Sequence, residues 1–193
     1  MNNFMNYELA VTYECNWNCP YCLVDTHLRN PKNIKDVLEE IESFKPNSSV
    51  TLSGGEPGML SEKDLSIIIK KLKSKNIIID LLTNGLFLKR HKKFLKYIDE
   101  ILYHSIEKVS DRKDIEIYDS KNIIYVMVIT NKDLEKMDDI LYYFDKYNIK
   151  FLISPNIKPQ ERINISKFLK LINDYPQFIH KRTKDEFIKN ISK

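Results

Sequence analysis

The chain alternates short runs of β-branched and aliphatic residues with amphipathic stretches, and this alternation constrains its fold more than any other feature. Most of the short runs are apolar at successive positions, which is typical of parallel strands covered on both faces. Six such runs are predicted as strands, over residues 7–13, 49–53, 77–82, 100–106, 122–130 and 149–154.

Helical patterns separate the strands. Apolar residues recur at helical spacing over 34–41, 65–72, 134–144 and 165–172, a further helix is predicted from Phe87 to Tyr97, and 108–120 is expected to be mostly loop. Ser61 followed by Asp64 resembles a capping box. This alternation gives a parallel sheet with right-handed crossovers. A complete eight-fold barrel takes about 250 residues, so an open partial barrel or a doubly wound sheet is expected.

Composition limits the class of protein. The chain has 193 residues, 42% of them hydrophobic and 30% charged, as expected for one folded domain with a polar tail over 175–193. No apolar run approaches the roughly 18 residues that span a bilayer, and the first residues do not resemble a signal peptide. The net charge of +4 comes from lysines dispersed among 27 acidic residues. We therefore expect a cytoplasmic protein that binds neither membranes nor nucleic acid.

Two scarce residue types cluster after the first three predicted strands. All three cysteines follow the first strand, at Cys15, Cys19 and Cys22. The chain has four glycines: three follow the second strand, between Gly54 and Gly58, and Gly85 follows the third. Because the carboxyl ends of parallel strands meet at one edge of a sheet, these residues predict a single functional face.

The cysteine pattern favours a metal centre over disulfides, because the number is odd, the cluster is local and no secretion signal precedes it. Three thiolates lack the fourth protein ligand that a closed structural site needs. His27 completes the set in one alternative, a Cys3His zinc site. The other alternative is an iron–sulfur cluster with one open iron.

At these motifs the chain resembles the radical S-adenosylmethionine (radical SAM) enzymes. Their Cys-x3-Cys-x-aromatic-Cys loop is matched with Tyr21 as the aromatic residue, their Gly-Gly-Glu-Pro by Gly54–Pro57, and a Thr-Asn-Gly found in many members by Thr83–Gly85. The resemblance covers residues 7 to about 157. It implies an α/β partial (β/α)6 barrel as a single core domain over 1–193, with six βα units over about 7–174.

The resemblance also implies the cofactors and the residues that bind them. Cys15, Cys19 and Cys22 would hold a [4Fe–4S] cluster, whose fourth iron binds the methionine end of S-adenosylmethionine. Gly54 and Gly55 would let the backbone approach that methionine, and the Glu56 carboxylate suits its ammonium group. The predicted cofactor-binding residues are Tyr21 at the adenine, Gly54, Gly55, Glu56, Pro57, Asn84, and the strand-end residues Ser105 and Thr130, the latter followed by Asn131.

The function implied is reductive cleavage of S-adenosylmethionine to a 5′-deoxyadenosyl radical, which abstracts hydrogen from a small-molecule or peptide substrate. No cysteine outside the loop is present for an auxiliary cluster or for hydrogen donation. One alternative is an activase that forms a glycyl radical on a partner protein, and another is the non-enzymatic zinc domain. A flavodoxin- or ferredoxin-type donor is expected to supply electrons, attracted by the net positive charge if Arg29 and Lys32 face outward.

Overall fold

All six predicted strands are present, each with bounds within two residues of those expected. A computed structural model describes residues 5–19, 21–22, 29–104, 123–146, 150–155 and 163–178. The strands are β1 (Asn6–Thr12), β2 (Ser49–Gly54), β3 (Ile78–Thr83), β4 (Glu100–His104), β5 (Ile123–Ile129) and β6 (Phe151–Pro155).

The helices follow the predicted apolar stripes, with two differences. They are α1 (Ile34–Ser43), α2 (Glu62–Ser74), α3 (Leu86–Arg90), α4 (Asn131–Leu134), α5 (Met137–Lys146) and α6 (Ile165–Asp174). The single helix expected over 134–144 is divided between α4 and α5. The helix expected from Phe87 to Tyr97 is also divided, into α3 and a 3₁₀ helix over Lys92–Tyr97. The segment 108–120 lies outside the described residues.

The break after α3 occurs at His91. Its backbone has a φ of −123°, which ends the helix, and its ring is buried. The ring lies between those of Phe87 and Phe94, at centroid distances of 5.2 and 6.2 Å. The sequence pattern did not distinguish this buried histidine from one on the surface of a continuous helix.

The structure confirms the N-cap half of the capping box predicted for α2. The backbone N–H of Asp64 donates to Ser61 Oγ at 3.1 Å, and the Ser61 hydroxyl donates to the Asp64 carboxylate at 2.7 Å. These bonds satisfy one of the free N–H groups of the first turn. The helix then buries the predicted stripe of Leu65, Ile68, Ile69 and Leu72.

The chain divides into two compact units, which meet in sequence near the segment 105–122. In the first unit β1 to β4 lie side by side in chain order and are all parallel. In the second unit β5 pairs in parallel with β6. Whether the whole chain is one domain stays a prediction. Among the described residues, no helix combines the length and apolarity needed to cross a membrane.

Burial differs between the strands. In β5 every second residue from Ile123 to Ile129 is buried, and the residues between are partly exposed. β3 shows the same alternation. In β2, by contrast, residues on both faces are buried. The expectation that strands are covered on both faces therefore fails for β3 and β5 but agrees with β2.

Asp80 of β3 provides a pH-dependent test of the first unit. It lies in register with Thr51 of β2 and Glu100 of β4. Burial, together with the Glu100 carboxylate, raises the pKa of Asp80 from 3.8 to about 6. The folded chain therefore holds this proton more tightly than the unfolded chain, so stability should fall as the pH rises from about 4 to about 6.

We expect Asp80→Asn to remove the loss of stability that ionisation of the Asp80 carboxyl causes above about pH 6. Two pKa units correspond to about 3 kcal/mol, and solvent screening at a half-buried site reduces the expected gain to about 1 to 2 kcal/mol at pH 7.5. Urea denaturation at pH 4 and pH 7.5 measures it, with Asp145→Asn on the exposed side of α5 as the matched control. An equal gain at both pH values would contradict this explanation.

Candidate functional site

The loop that carries the cysteines is attached to the residues that follow β2. It begins after Thr12, the last residue of β1. The N–H of Gly55 donates to the Thr12 carbonyl at 2.7 Å, and the N–H of Glu56 donates to the Glu14 carbonyl at 2.8 Å. The first two sequence motifs therefore meet at one edge of the sheet, as predicted.

The two adjacent glycines are needed for this close approach. A Cβ atom on Gly54 would lie 2.3 Å from the Thr12 carbonyl oxygen, and one on Gly55 would lie 2.1 Å from the Glu14 carbonyl oxygen. Gly54 also has a φ of +108°, which side chains rarely adopt. Sequence reasoning assigned these glycines to the approach of a bound methionine. The structure adds a contact within the protein, and their role toward a cofactor stays a prediction.

The three cysteines are free thiols of intermediate burial. Burial raises the pKa of the Cys15 and Cys19 thiols, and the Cys22 sulfur raises both further. Arg29 acts in the opposite direction on both thiols. The loop is tightened by a bond from the Trp17 N–H to Cys15 Sγ at 3.4 Å.

Three thiolates without a described fourth protein ligand are the donor set of this loop. Within the described ranges, no three His, Cys, Asp or Glu side chains are placed to hold a single ion together. A [4Fe–4S] cluster has a different requirement, because each thiolate binds its own iron and the sulfur atoms stay apart. His27, the fourth ligand of the zinc alternative, lies outside the described residues. The donor set therefore fits an iron–sulfur cluster with three protein ligands.

Asn84, directly after β3, contacts both of the other motifs. Its side-chain NH₂ donates to Asn16 Oδ1 at 2.9 Å and to Cys15 Sγ at 3.9 Å. Its backbone N–H donates to Glu56 Oε2 at 2.7 Å. One residue thus joins the cysteine loop to the residues after β2. Sequence reasoning placed Asn84 at this edge but did not predict its contact with Asn16.

Glu56 is buried, with 1% of its surface exposed. Its Oε1 accepts from the Gly58 N–H at 2.9 Å, the Thr83 hydroxyl at 2.7 Å and the Phe87 N–H at 3.2 Å. With the Asn84 bond, four donors surround the carboxylate. Burial raises the pKa of Glu56, and the four hydrogen bonds oppose that rise. Glu56 therefore connects the ends of β2 and β3 to the start of α3.

Tyr21 lies beside the end of β4. Its hydroxyl is 3.0 Å from His104 Nε2, and the two rings are 5.5 Å apart. This contact brings the cysteine loop to a fourth strand end. His104 was missed as a site residue by sequence reasoning, although it precedes the strand-end residue Ser105.

The other predicted residues are placed as follows. Pro57 is buried and begins a 3₁₀ turn over Pro57–Met59. Ser105 lies outside the described residues. Thr130 belongs to the second unit, where its N–H and hydroxyl donate to the Asp133 carboxylate at 2.7 and 2.8 Å at the start of α4. Asn131 accepts from the Asn164 N–H at 2.6 Å.

The two cations considered for docking of an electron carrier are engaged within the protein. Arg29 Nη1 donates to the Trp17 carbonyl, and Nη2 donates to Asn18 Oδ1 at 3.4 Å. Lys32 pairs with Glu40 at 2.6 Å, and only 16% of its side chain is exposed. The condition that both side chains face outward is therefore not met. The contact of Arg29 with the loop carried no signal in the sequence.

A parallel α/β fold with three thiols in the loop after its first strand is the arrangement expected of a cluster-binding α/β protein. The chain belongs to the Radical SAM superfamily, whose family model matches residues 9–172. The predicted resemblance is therefore confirmed. The predicted [4Fe–4S] cluster and S-adenosylmethionine are the cofactors of this family.

Individual relatives support this assignment. The chain is 31% identical over 170 residues to a Methanocaldococcus jannaschii protein provisionally named a glycyl-radical enzyme activating enzyme, with 82% of this chain and 61% of the relative covered. It is 30% identical to the 7-carboxy-7-deazaguanine synthase of Clostridium acetobutylicum, with 81% and 77% covered. Both relatives are named as enzymes, in agreement with the predicted enzyme class.

A solved structure supports the fold. The structure of anSMEcpe with bound AdoMet and the Cp18Cys peptide matches 88% of this chain and 57% of its own chain, with a TM-score of 0.66 and 16% identity. The partial-barrel fold class is confirmed by this similarity. This chain thus spans about 60% of the length of the first relative and of this structure.

Proposed function

We propose that the chain holds a [4Fe–4S] cluster through Cys15, Cys19 and Cys22 and binds S-adenosylmethionine at the adjacent strand ends. With both groups bound, the site would supply reductive cleavage of S-adenosylmethionine and, through the adenosyl radical that results, hydrogen abstraction from the substrate. The observation that carries the proposal is Asn84, which joins the cysteine loop to Glu56.

The residues of the chain have distinct tasks in this proposal. Gly54 and Gly55 bring the backbone of the second strand end against the cysteine loop, so that cluster and cofactor are neighbours. Glu56 fixes the amides of Gly58, Asn84 and Phe87 and thereby orients the loop around the methionine end, and Pro57 begins the turn that follows. Tyr21 would lie at the adenine, and the cofactor contacts expected of Ser105 and Thr130 stay predictions.

The substrate is a small molecule or a peptide. The relative from Clostridium acetobutylicum acts in 7-carboxy-7-deazaguanine synthesis, as its name states, and the anSMEcpe structure contains a peptide. Both observations concern those proteins.

A second candidate is activation of a glycyl-radical enzyme, which the 31% identity to the Methanocaldococcus protein favours. A cytoplasmic location and a flavodoxin- or ferredoxin-type donor belong to the proposal, because the chemistry needs reduced thiols and single electrons.

Formation of 5′-deoxyadenosine tests the proposal. Anaerobically reconstituted protein, incubated with S-adenosylmethionine and dithionite, should release 5′-deoxyadenosine that mass spectrometry detects. Asn84→Ala should lower the yield by about tenfold, because the contact between the motifs is worth about 1.4 kcal/mol. Asn6→Ala is the matched control, because Asn6 accepts from Ser49 at the opposite end of the strands. A cluster-loaded protein that releases no more than a variant lacking all three cysteines would contradict the proposal.

A further inference from the structure

The geometry points to Arg29 as a positioning residue that orders the cysteine loop and raises the reduction potential of the cluster held there. This inference rests on the proposed function, since it concerns the same cluster. Arg29 lies outside the Cys-x3-Cys-x2-Cys pattern and seven residues after Cys22.

The first observation is where the guanidinium donates its hydrogen bonds. Nη1 donates to the carbonyl of Trp17, and Nη2 donates to the side chain of Asn18 at 3.4 Å. Both acceptors belong to the three-residue segment between Cys15 and Cys19. A planar guanidinium that contacts consecutive residues fixes their orientation, which a lysine with one point charge does less well.

The second observation is how Arg29 itself is held. The next residue, Asn30, accepts a backbone bond from the Tyr13 N–H at 3.2 Å, which ties this segment to the start of the cysteine loop. The Arg29 Nε atom is buried and has no hydrogen-bond partner among the described residues. A charged side chain placed with a buried donor unsatisfied is costly, and a negatively charged neighbour would offset that cost.

The third observation is the sign of the electrostatic interaction. The positive charge of Arg29 lies against the segment between Cys15 and Cys19, because its guanidinium donates to Trp17 and Asn18 there. Reduction adds one electron to the cluster, so a nearby cation stabilises the reduced state more than the oxidised state. Arg29 thus favours the reduced cluster, which is the state that donates the electron.

Loop order can be measured without the cluster, because Trp17 is the single tryptophan of the chain. In cluster-free protein, acrylamide quenching of Trp17 fluorescence should increase about twofold in Arg29→Gln, since the loop opens when its carbonyl contact is lost. Lys32→Gln is the matched control, because it removes a nearby cation that pairs with Glu40. Unchanged quenching in Arg29→Gln, or an equal increase in Lys32→Gln, would overturn the positioning role.

The potential is measured on reconstituted protein by redox titration followed by electron paramagnetic resonance. At a fixed potential the ratio of reduced to oxidised cluster should fall about tenfold in Arg29→Gln, which equals about 59 mV for one electron. Lys32→Gln should match the wild type. Arg29→Lys keeps the positive charge, so it should retain the wild-type potential of the cluster while quenching of Trp17 fluorescence increases. This variant tests the inference if Arg29→Gln does not fold. A wild-type potential in Arg29→Gln would overturn the inference, whereas a wild type without any cluster would overturn the proposed function instead.

Discussion

Alanine at Cys15, Cys19 or Cys22 is expected to remove the cluster completely in each single variant. Wild-type protein should contain about four irons and four sulfides per chain after anaerobic reconstitution, and each variant close to none. The reason is that the chain has three cysteines, all in this loop, so no other thiol can replace a lost ligand. Iron and sulfide analysis, together with loss of the brown cluster absorbance, measures the effect.

A loop variant that keeps the ligands is the control. Glu14 makes its described hydrogen bonds through the backbone: its carbonyl accepts from the Glu56 N–H, and its N–H donates to Thr12 Oγ1. Glu14→Ala should therefore keep both the loop and the cluster. Four irons retained in any cysteine variant would contradict the assignment of ligands. Stoichiometric zinc in a colourless wild type would instead support the Cys3His alternative.

The positions of the strand ends could be predicted from the sequence because two independent patterns agreed. Apolar runs placed β2 and β3, and the scarce glycines marked where they end, at Gly54 and just before Gly85. Parallel strands bring such ends together whatever the side chains are. The meeting of Cys15, Glu56 and Asn84 at one edge was therefore predictable.

The breaks in the helices were not predictable in the same way. The apolar stripe over 134–144 fits one helix, but α4 ends at Leu134 and α5 begins at Met137. His91 interrupts the other predicted helix without a proline or a glycine. A 3.6-residue pattern records which face is buried and contains no information on a one-residue change in backbone angle.

The internal contacts of the site also depend on folded geometry. Arg29 and His104 reach Trp17 and Tyr21 across 12 and 83 residues of sequence. No sequence motif relates residues that are 12 or 83 positions apart. Motifs describe groups that a cofactor needs, whereas these two side chains serve other residues of the chain. Only the folded structure shows that Arg29 and His104 lie beside the cysteine loop.

For Glu56, too, the structure shows contacts that the sequence does not predict. Its replacement should have the largest effect on the free energy of unfolding. The sequence predicts only that Glu56→Ala weakens cofactor binding with the cluster intact. The structure adds that four donors would lose their acceptor, among them the buried Thr83 hydroxyl. Because buried donors without partners each cost about 1 to 3 kcal/mol, partial relaxation leaves an expected loss of about 3 to 5 kcal/mol in the free energy of unfolding.

Urea denaturation of cluster-free protein measures this loss apart from any cofactor effect. Glu56→Gln keeps one oxygen for three donors but turns an NH₂ group toward the Asn84 N–H, so it should cost about 1 to 2 kcal/mol. Glu62→Ala removes an exposed carboxylate that pairs with Lys93, and solvent screening leaves such a surface pair with little effect on stability. The order of stability should therefore be wild type, Glu62→Ala, Glu56→Gln and Glu56→Ala. If cluster-free Glu56→Ala proved as stable as Glu62→Ala, the carboxylate would not be the connection between the ends of β2 and β3 and the start of α3. Its role would then be limited to the cofactor.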